Sequence, residues 1–179
     1  DCVFCTRLTN PVVQGYNLNL DREPTAKEVW ESIDDVKKYD EVVFCGFGEP
    51  TLRLDVIKEV AKKVKDNGGR VRLNTNGHGN VINKRNILPE LSGLIDEVSV
   101  SLNTDTSEAY DEICQPLPKF RNGIYEKIKE FIEESKKHIP DVQASIVTHQ
   151  SGVDEANCEE IVNKEFGVKY RARRYNIVG

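Results

Sequence analysis

Methionine is absent from all 179 residues of this chain. A natural chain of this length carries several and starts with one. Either residues precede Asp1, or positions held by a modified methionine have dropped out, shortening any spacing across them. No apolar run approaches the length needed to cross a bilayer, so these residues hold no candidate membrane span. No signal-peptide pattern is present. The five cysteines are an odd number at uneven spacing. That does not suit a secreted disulfide framework, and the cytoplasm is the expected compartment. The net charge is -5, so a nucleic-acid backbone is not the expected partner. Basic residues cluster only at 169–174, read as a solvated or anion-facing strand. Internal repeats, linkers and low-complexity stretches are also lacking. The length suits one domain, 1–179, with a substantial core.

What is present is alternation. After a polar loop over 9–21, Thr25 and Glu28 form a capping box opening a helix to about Tyr39. The unbroken apolar run at 41–45 reads as a strand buried on both faces of a parallel sheet. Residues 54–66 place Val56, Ile57, Val60, Ala61 and Val64 on one helical face, and Asn67-Gly68-Gly69 stops that helix. Strands follow at 70–74 and 96–102, helices at 87–94 and from Thr106 or Ser107. Cys114-Gln115-Pro116 breaks the pattern. A helix at 123–137, a strand at 142–148, a helix at 154–165 and a strand at 168–177 complete it. The spacing predicts an α/β fold, a parallel curved sheet with helices outside. Five strands are visible. A sixth ahead of Asp1 would make a partial (β/α)6 barrel, with ligands at the strands' carboxyl ends.

Candidate groups fall at those ends. Cys45-Gly46-Phe47-Gly48-Glu49-Pro50-Thr51 joins a strand to a helix. Its glycines permit positive φ and close approach of a ligand. It lacks the Lys-Ser/Thr of a P-loop and the third glycine of a dinucleotide fingerprint, and Glu49 argues against a phosphate. Cys2 and Cys5 have C-x2-C spacing, which can bring two thiolates onto one metal or cluster. A metal-binding or thiol-redox module is the alternative, although no helix pattern follows as in a thioredoxin-like motif. Alternation puts Ser99 and Ser101, with Asn103, on one side of their strand. His78 and His149 lie near strand ends, where they touch substrate or stay exposed in loops. His138 reads as a helix C-terminal residue, and Cys114 as a small buried apolar residue.

Taken together, Cys-Val-Phe-Cys, Cys-Gly-Phe-Gly-Glu-Pro, Leu-Asn-Thr-Asn-Gly and Val-Ser-Val-Ser-Leu-Asn resemble the radical S-adenosylmethionine (SAM) superfamily, in the right order over most of the chain. The Gly-Phe-Gly-Glu-Pro-Thr-Leu-Arg and Ile-Cys-Gln-Pro runs look most like its small TatD-linked subgroup. The resemblance implies a [4Fe–4S] cluster held by C-x3-C-x2-C. Cys2 and Cys5 match the second and third cysteines, Phe4 the aromatic before the third, and the first would lie three residues ahead of Asp1. It implies reductive cleavage of SAM to a 5′-deoxyadenosyl radical that abstracts hydrogen from a substrate. It places the SAM ammonium at Gly46, Phe47, Gly48 and Glu49. Asn74 and Asn76 match the next strand end. Ser99, Ser101 and Asn103 match contacts to ribose or the methionyl carboxylate, and strands at 142–148 and 170–177 match backbone contacts to adenine. Arg171, Arg173 or Arg174 is left to neutralise a carboxylate or to line a solvated edge. The implied partners are a flavodoxin- or ferredoxin-like electron donor and an unidentified substrate, a peptide or macromolecule among the options. No residue is assigned the hydrogen abstraction itself.

Overall fold

A computed structural model describes residues 2–8, 10–13, 15–121, 123–148 and 150–174. The amino-terminal loop carries a short 3-10 turn, Thr6–Leu8, and a two-residue antiparallel pair, β1 (Val12–Val13) and β2 (Tyr16–Asn17). Helix α1 (Ala26–Glu31) opens on the predicted capping box. The Thr25 hydroxyl accepts from the Glu28 N–H, and the Glu28 carboxylate accepts from the Thr25 N–H at 2.8 Å. It stops at Glu31 rather than Tyr39. Ser32 bonds back to the Val29 carbonyl, and Asp35 takes the Lys37 N–H to cap a separate 3-10 turn, Val36–Lys38. Short polar side chains here outcompete the helical ladder.

Strand β3 (Val42–Phe44) leads through the glycine turn and a 3-10 turn, Pro50–Arg53, into α2 (Leu54–Asp66). All six apolar residues of α2's inner face are buried, including Leu54. Strand β4 (Val71–Thr75) is followed by two short helices, α3 (Gly79–Asn83) and α4 (Leu88–Leu91). The expected helix at 87–94 is thus shorter, because the chain turns extended at Ser92 and left-handed at Gly93. Helix α3 escaped the periodicity because asparagine side chains secure it. Asn83 donates to the Gly79 and Thr51 carbonyls, and Asn80 accepts the Ile87 N–H.

Strand β5 (Glu97–Ser101), helix α5 (Ser107–Cys114), helix α6 (Ile124–Ser135) and strand β6 (Asp141–Val147) follow the predicted order. Thr106 caps α5, and Asp154 caps α7 (Glu155–Glu160). Past Glu160 the helix widens into a π-helical turn, Ile161–Phe166, before β7 (Lys169–Arg173). The part of the predicted last strand at 175–177 lies outside the described residues.

The five longer strands form one parallel sheet in the order β3-β4-β5-β6-β7. Each crossover therefore advances the sheet in the same sense. That is the order of a barrel wall and leaves no doubly-wound switch point. Register splits the sheet into two faces. Val71 and Leu73, Val98 and Val100, and Val142 and Ala144 share one face and join α2, α4 and α6 in the core. Arg72 and Asn74, Ser99 and Ser101, Gln143 and Ser145, and Arg171 and Arg173 share the other. The inner wall is polar. Arg72 pairs with Glu41 at 2.7 Å, and Gln143 donates to Glu97 at 2.8 Å. The expectation that β3 is buried on both faces is not met. It is an edge strand among the described residues, and its three residues are half-buried. Among the described residues, no helix is long and apolar enough to cross a membrane.

Candidate functional site

The turn after β3 is built around Glu49, which is buried at 8% exposure. Its Oε1 accepts from the Thr51 N–H at 3.1 Å, the Thr51 hydroxyl at 2.7 Å and the Thr75 hydroxyl at 2.7 Å. Its Oε2 accepts from the Asn76 N–H at 2.8 Å. One carboxylate thus caps the 3-10 turn and ties it to the end of β4. Oε2 accepts only the Asn76 bond among the described residues, so it keeps capacity for a cationic donor. Gly46 and Gly48 have φ of 129° and 87°, and a Cβ on either would meet nothing within 4 Å. Their backbone is left-handed and faces open space, the arrangement that lets a ligand come close. Phe47, between them, is half-buried.

At the end of β4, Asn76 closes its own turn by accepting the His78 N–H at 2.9 Å, while Asn74 faces the inner wall beside Arg72. Ser99 is buried and Ser101 half-buried. By register they sit opposite Gln143 and Ser145. Neither serine hydroxyl has a hydrogen-bond partner among the described residues. Asn103 breaks the strand with φ of 64°, and its N–H donates to the Ser145 carbonyl at 3.1 Å. Its Oδ1 is buried without a partner, as are the Thr148 hydroxyl and Arg173 Nε. These three orphaned groups end neighbouring strands β5, β6 and β7. Buried polar atoms normally find partners, so they mark where a polar ligand is missing.

The cysteine loop lies over the same end. The Cys5 N–H donates to the Cys2 carbonyl at 3.0 Å, and the Val3 N–H donates to the Ile113 carbonyl at the end of α5 at 2.9 Å. Cys2 and Phe4 pack against the core, and both loop cysteines are free thiols. The Cys2 thiol is lowered to about 7, first by the neighbouring Cys114 thiol, with burial opposing and Arg173 assisting. Cys114 is raised, first by the neighbouring Cys2 thiol and then by burial. Behind it, Tyr110 is raised by burial, and its hydroxyl lies 2.9 Å from His78 Nε2. The Val3 bond ties the cysteine loop to α5, whose Tyr110 hydroxyl lies beside His78, and the Asn76 that accepts the His78 N–H is itself held by Glu49. The cysteine loop and the glycine turn are therefore linked through α5 and the end of β4. Arg173 is lowered by burial and by its neighbour Arg171.

Some expectations change. Cys114 is a small buried core residue, as expected, and its sulfur also lies 3.6 Å from Asn103 Nδ2. His78 is a buried partner of Tyr110, neither exposed nor open to a substrate. Burial holds it at about 4, so it is neutral. His149 lies outside the described residues. Sequence reading missed Tyr110, which shows no pattern beyond a helical apolar position. It also gave Gln143 and Ser145 of β6 no role, although they alternate visibly with apolar neighbours.

The cofactors the resemblance implies fit this arrangement. Cys2 and Cys5 offer two of three thiolates, held in a fixed turn. The open Gly46–Gly48 backbone and the orphaned Asn103, Thr148 and Arg173 groups offer a polar bed beside them. Among the described residues, no three Cys, His, Asp or Glu side chains converge as a metal site.

Comparison with known proteins agrees. A sequence profile for the Radical SAM superfamily matches residues 1–164. The Dual-specificity RNA methyltransferase RlmN of Buchnera aphidicola subsp. Schizaphis graminum is 27% identical over 150 residues, covering 77% of this chain and 37% of that protein. A Methanocaldococcus jannaschii protein named for glycyl-radical enzyme activation is 30% identical over 165 residues, covering 89% of this chain and 61% of its own. The chain thus spans between about a third and two thirds of the length of these relatives. In fold it is similar to TYW1, solved with a lysine-pyruvate adduct bound, at a TM-score of 0.68 and 16% identity, over 99% of this chain and 61% of that one. The chain belongs to the radical SAM superfamily.

Proposed function

We propose that these residues form the core domain of a radical SAM enzyme that cleaves SAM reductively and abstracts hydrogen from a substrate. The observation that carries this reading is the hydrogen-bonded path from the cysteine loop through α5 and His78 to Asn76 and Glu49, at the carboxyl end of a barrel-ordered sheet. Cys2 and Cys5 would hold a [4Fe–4S] cluster, with the third thiolate from a cysteine three residues ahead of Asp1. When bound, the cluster supplies the electron that releases a 5′-deoxyadenosyl radical from SAM. The chain's own residues bind and orient. The Gly46–Gly48 backbone admits the SAM ammonium, and Glu49 Oε2 accepts from it. Ser99, Ser101 and Asn103 meet the ribose and methionyl groups, with Asn74 and Asn76 beside them. Phe4 packs the cysteine loop against the core and excludes water from its inner side.

Within the superfamily, the Gly-Phe-Gly-Glu-Pro-Thr-Leu-Arg and Ile-Cys-Gln-Pro runs favour the TatD-linked subgroup. A peptide or macromolecular substrate is supported by relatives named for RNA methylation and for activation of a glycyl-radical enzyme. A flavodoxin- or ferredoxin-like donor and a cytoplasmic setting complete the proposal. Anaerobic reconstitution of the full-length protein with iron and sulfide tests it. Reduction in the presence of SAM should yield 5′-deoxyadenosine and methionine. Protein that takes up only zinc, or carries a cluster yet leaves SAM intact, contradicts it.

A further inference from the structure

We infer that Arg173, with Thr148 beside it, receives a carboxylate of the substrate, which makes the substrate a small free acid or an acidic peptide. This rests on the proposed radical SAM site and names its substrate class. The inner wall of the sheet divides by charge. Toward the strands' amino ends the charges compensate one another. Arg70 pairs with Glu97 at 3.1 Å and Asp141 at 2.8 Å, Lys169 with Asp141 at 3.1 Å, and Arg72 with Glu41 at 2.7 Å. Toward the carboxyl ends the same face carries Ser99, Ser101 and Ser145, then Arg171 and Arg173 on β7. The Thr148 N–H donates to the Arg173 carbonyl at 2.8 Å, so these two residues adjoin. Arg173 Nε and the Thr148 hydroxyl are both buried without a partner, and Thr148 is 6% exposed. The charged neighbours that bear on Arg173 are Arg171 and the Cys2 thiol, so it looks onto the space beside the cysteine loop and no carboxylate offsets it there. A buried guanidinium left in this way calls for an anion.

SAM does not supply that anion. Its ammonium and carboxylate share one carbon, and the ammonium is placed at the turn after β3. Strand β7 lies four strands on, about 19 Å along the sheet. The adenine and ribose are uncharged. A carboxylate fits, because its two oxygens accept side by side from the guanidinium fork and the Thr148 hydroxyl adds a further donor. The net charge of -5 disfavours a polynucleotide as the bearer.

The test is calorimetric titration of reconstituted full-length protein saturated with SAM. The probes are acetate, a short capped peptide with one aspartate, the same peptide with asparagine, and inorganic phosphate. Wild type should bind a carboxylate probe and ignore the asparagine peptide. Acetate binding as tightly as the aspartate peptide assigns a small acid, and tighter binding of the peptide assigns an acidic peptide. Arg173→Gln should weaken the carboxylate probe about tenfold or more, and Thr148→Val should weaken it less. Arg173→Lys keeps the charge but loses the fork, so it should fall between wild type and Arg173→Gln. Arg173→Gln should lose far less affinity for SAM than for the carboxylate. Thermal melting of each variant controls for folding. Wild type that binds no carboxylate probe, binds both peptides alike or prefers phosphate overturns the inference, as does Arg173→Gln with wild-type affinity. An equal loss of SAM affinity in Arg173→Gln also overturns it, because Arg173 would then hold the cofactor's own carboxylate. Wild type that takes up no cluster or no SAM overturns the reading beneath it.

Discussion

Replacing Glu49 by glutamine removes a charge but almost no volume, so it isolates what the carboxylate holds together. Four donors converge on it: two threonine hydroxyls and the N–H groups of Thr51 and Asn76. The hydroxyls can rotate to accept, but the amides cannot. A glutamine NH2 placed at Oε1 faces the Thr51 N–H, and one placed at Oε2 faces the Asn76 N–H. One backbone donor is unmatched in either orientation, at about 1–3 kcal/mol. The three surviving bonds pass from charge-assisted to neutral, at about 1 kcal/mol each. Relief from burying a charge offsets part of this. The expected net loss is about 2–4 kcal/mol. Urea unfolding of the metal-free variant and wild type measures it. A loss under about 0.5 kcal/mol would refute the view that Glu49 ties the glycine turn to β4.

Gly48→Ala and Gly77→Ala should separate binding from packing. Both carry positive φ, costing about 1–2 kcal/mol, but a Cβ at Gly77 would also lie 2.9 Å from Ile128 Cγ2 and 3.1 Å from Val100 Cγ1. Denaturation should show the larger loss for Gly77→Ala, while calorimetric SAM titration of reconstituted protein should show it for Gly48→Ala. His78 is held at about 4 against an ordinary 6.5, so the unfolded chain binds its proton first as pH falls. Stability present above pH 6.5 is lost as pH drops toward 4, by about 3 kcal/mol, and His78→Gln should flatten that part of the profile. Thr25→Ala should cost about 1 kcal/mol by breaking the capping box, read from the same unfolding curves.

Local signals were legible where a single element decides the outcome. The apolar stripe of α2, the Thr25–Glu28 box and the glycine turn each need only neighbours within a few residues. So did the order of strands and helices, and with it the polar strand ends that gather at the site. Three things were not legible. Where α1 stops depends on Ser32 and Asp35 competing for backbone donors, which apolar periodicity does not weigh. The bond from the Val3 N–H to the Ile113 carbonyl depends on α5 ending where the first loop lies. The grip on Glu49 comes from Thr75 and Asn76 of the next strand, and no spacing rule links an acid to hydroxyls a βα unit away.

The central claim is that Cys2 and Cys5 anchor a cluster whose electron cleaves SAM bound at Gly46–Glu49. The most direct measurement is 5′-deoxyadenosine formation by reduced, reconstituted full-length protein, beside Cys2→Ala and Cys5→Ala. The account predicts product from wild type and none from either variant. Product that persists in the variants, or wild type that binds a cluster and leaves SAM uncleaved, would contradict it.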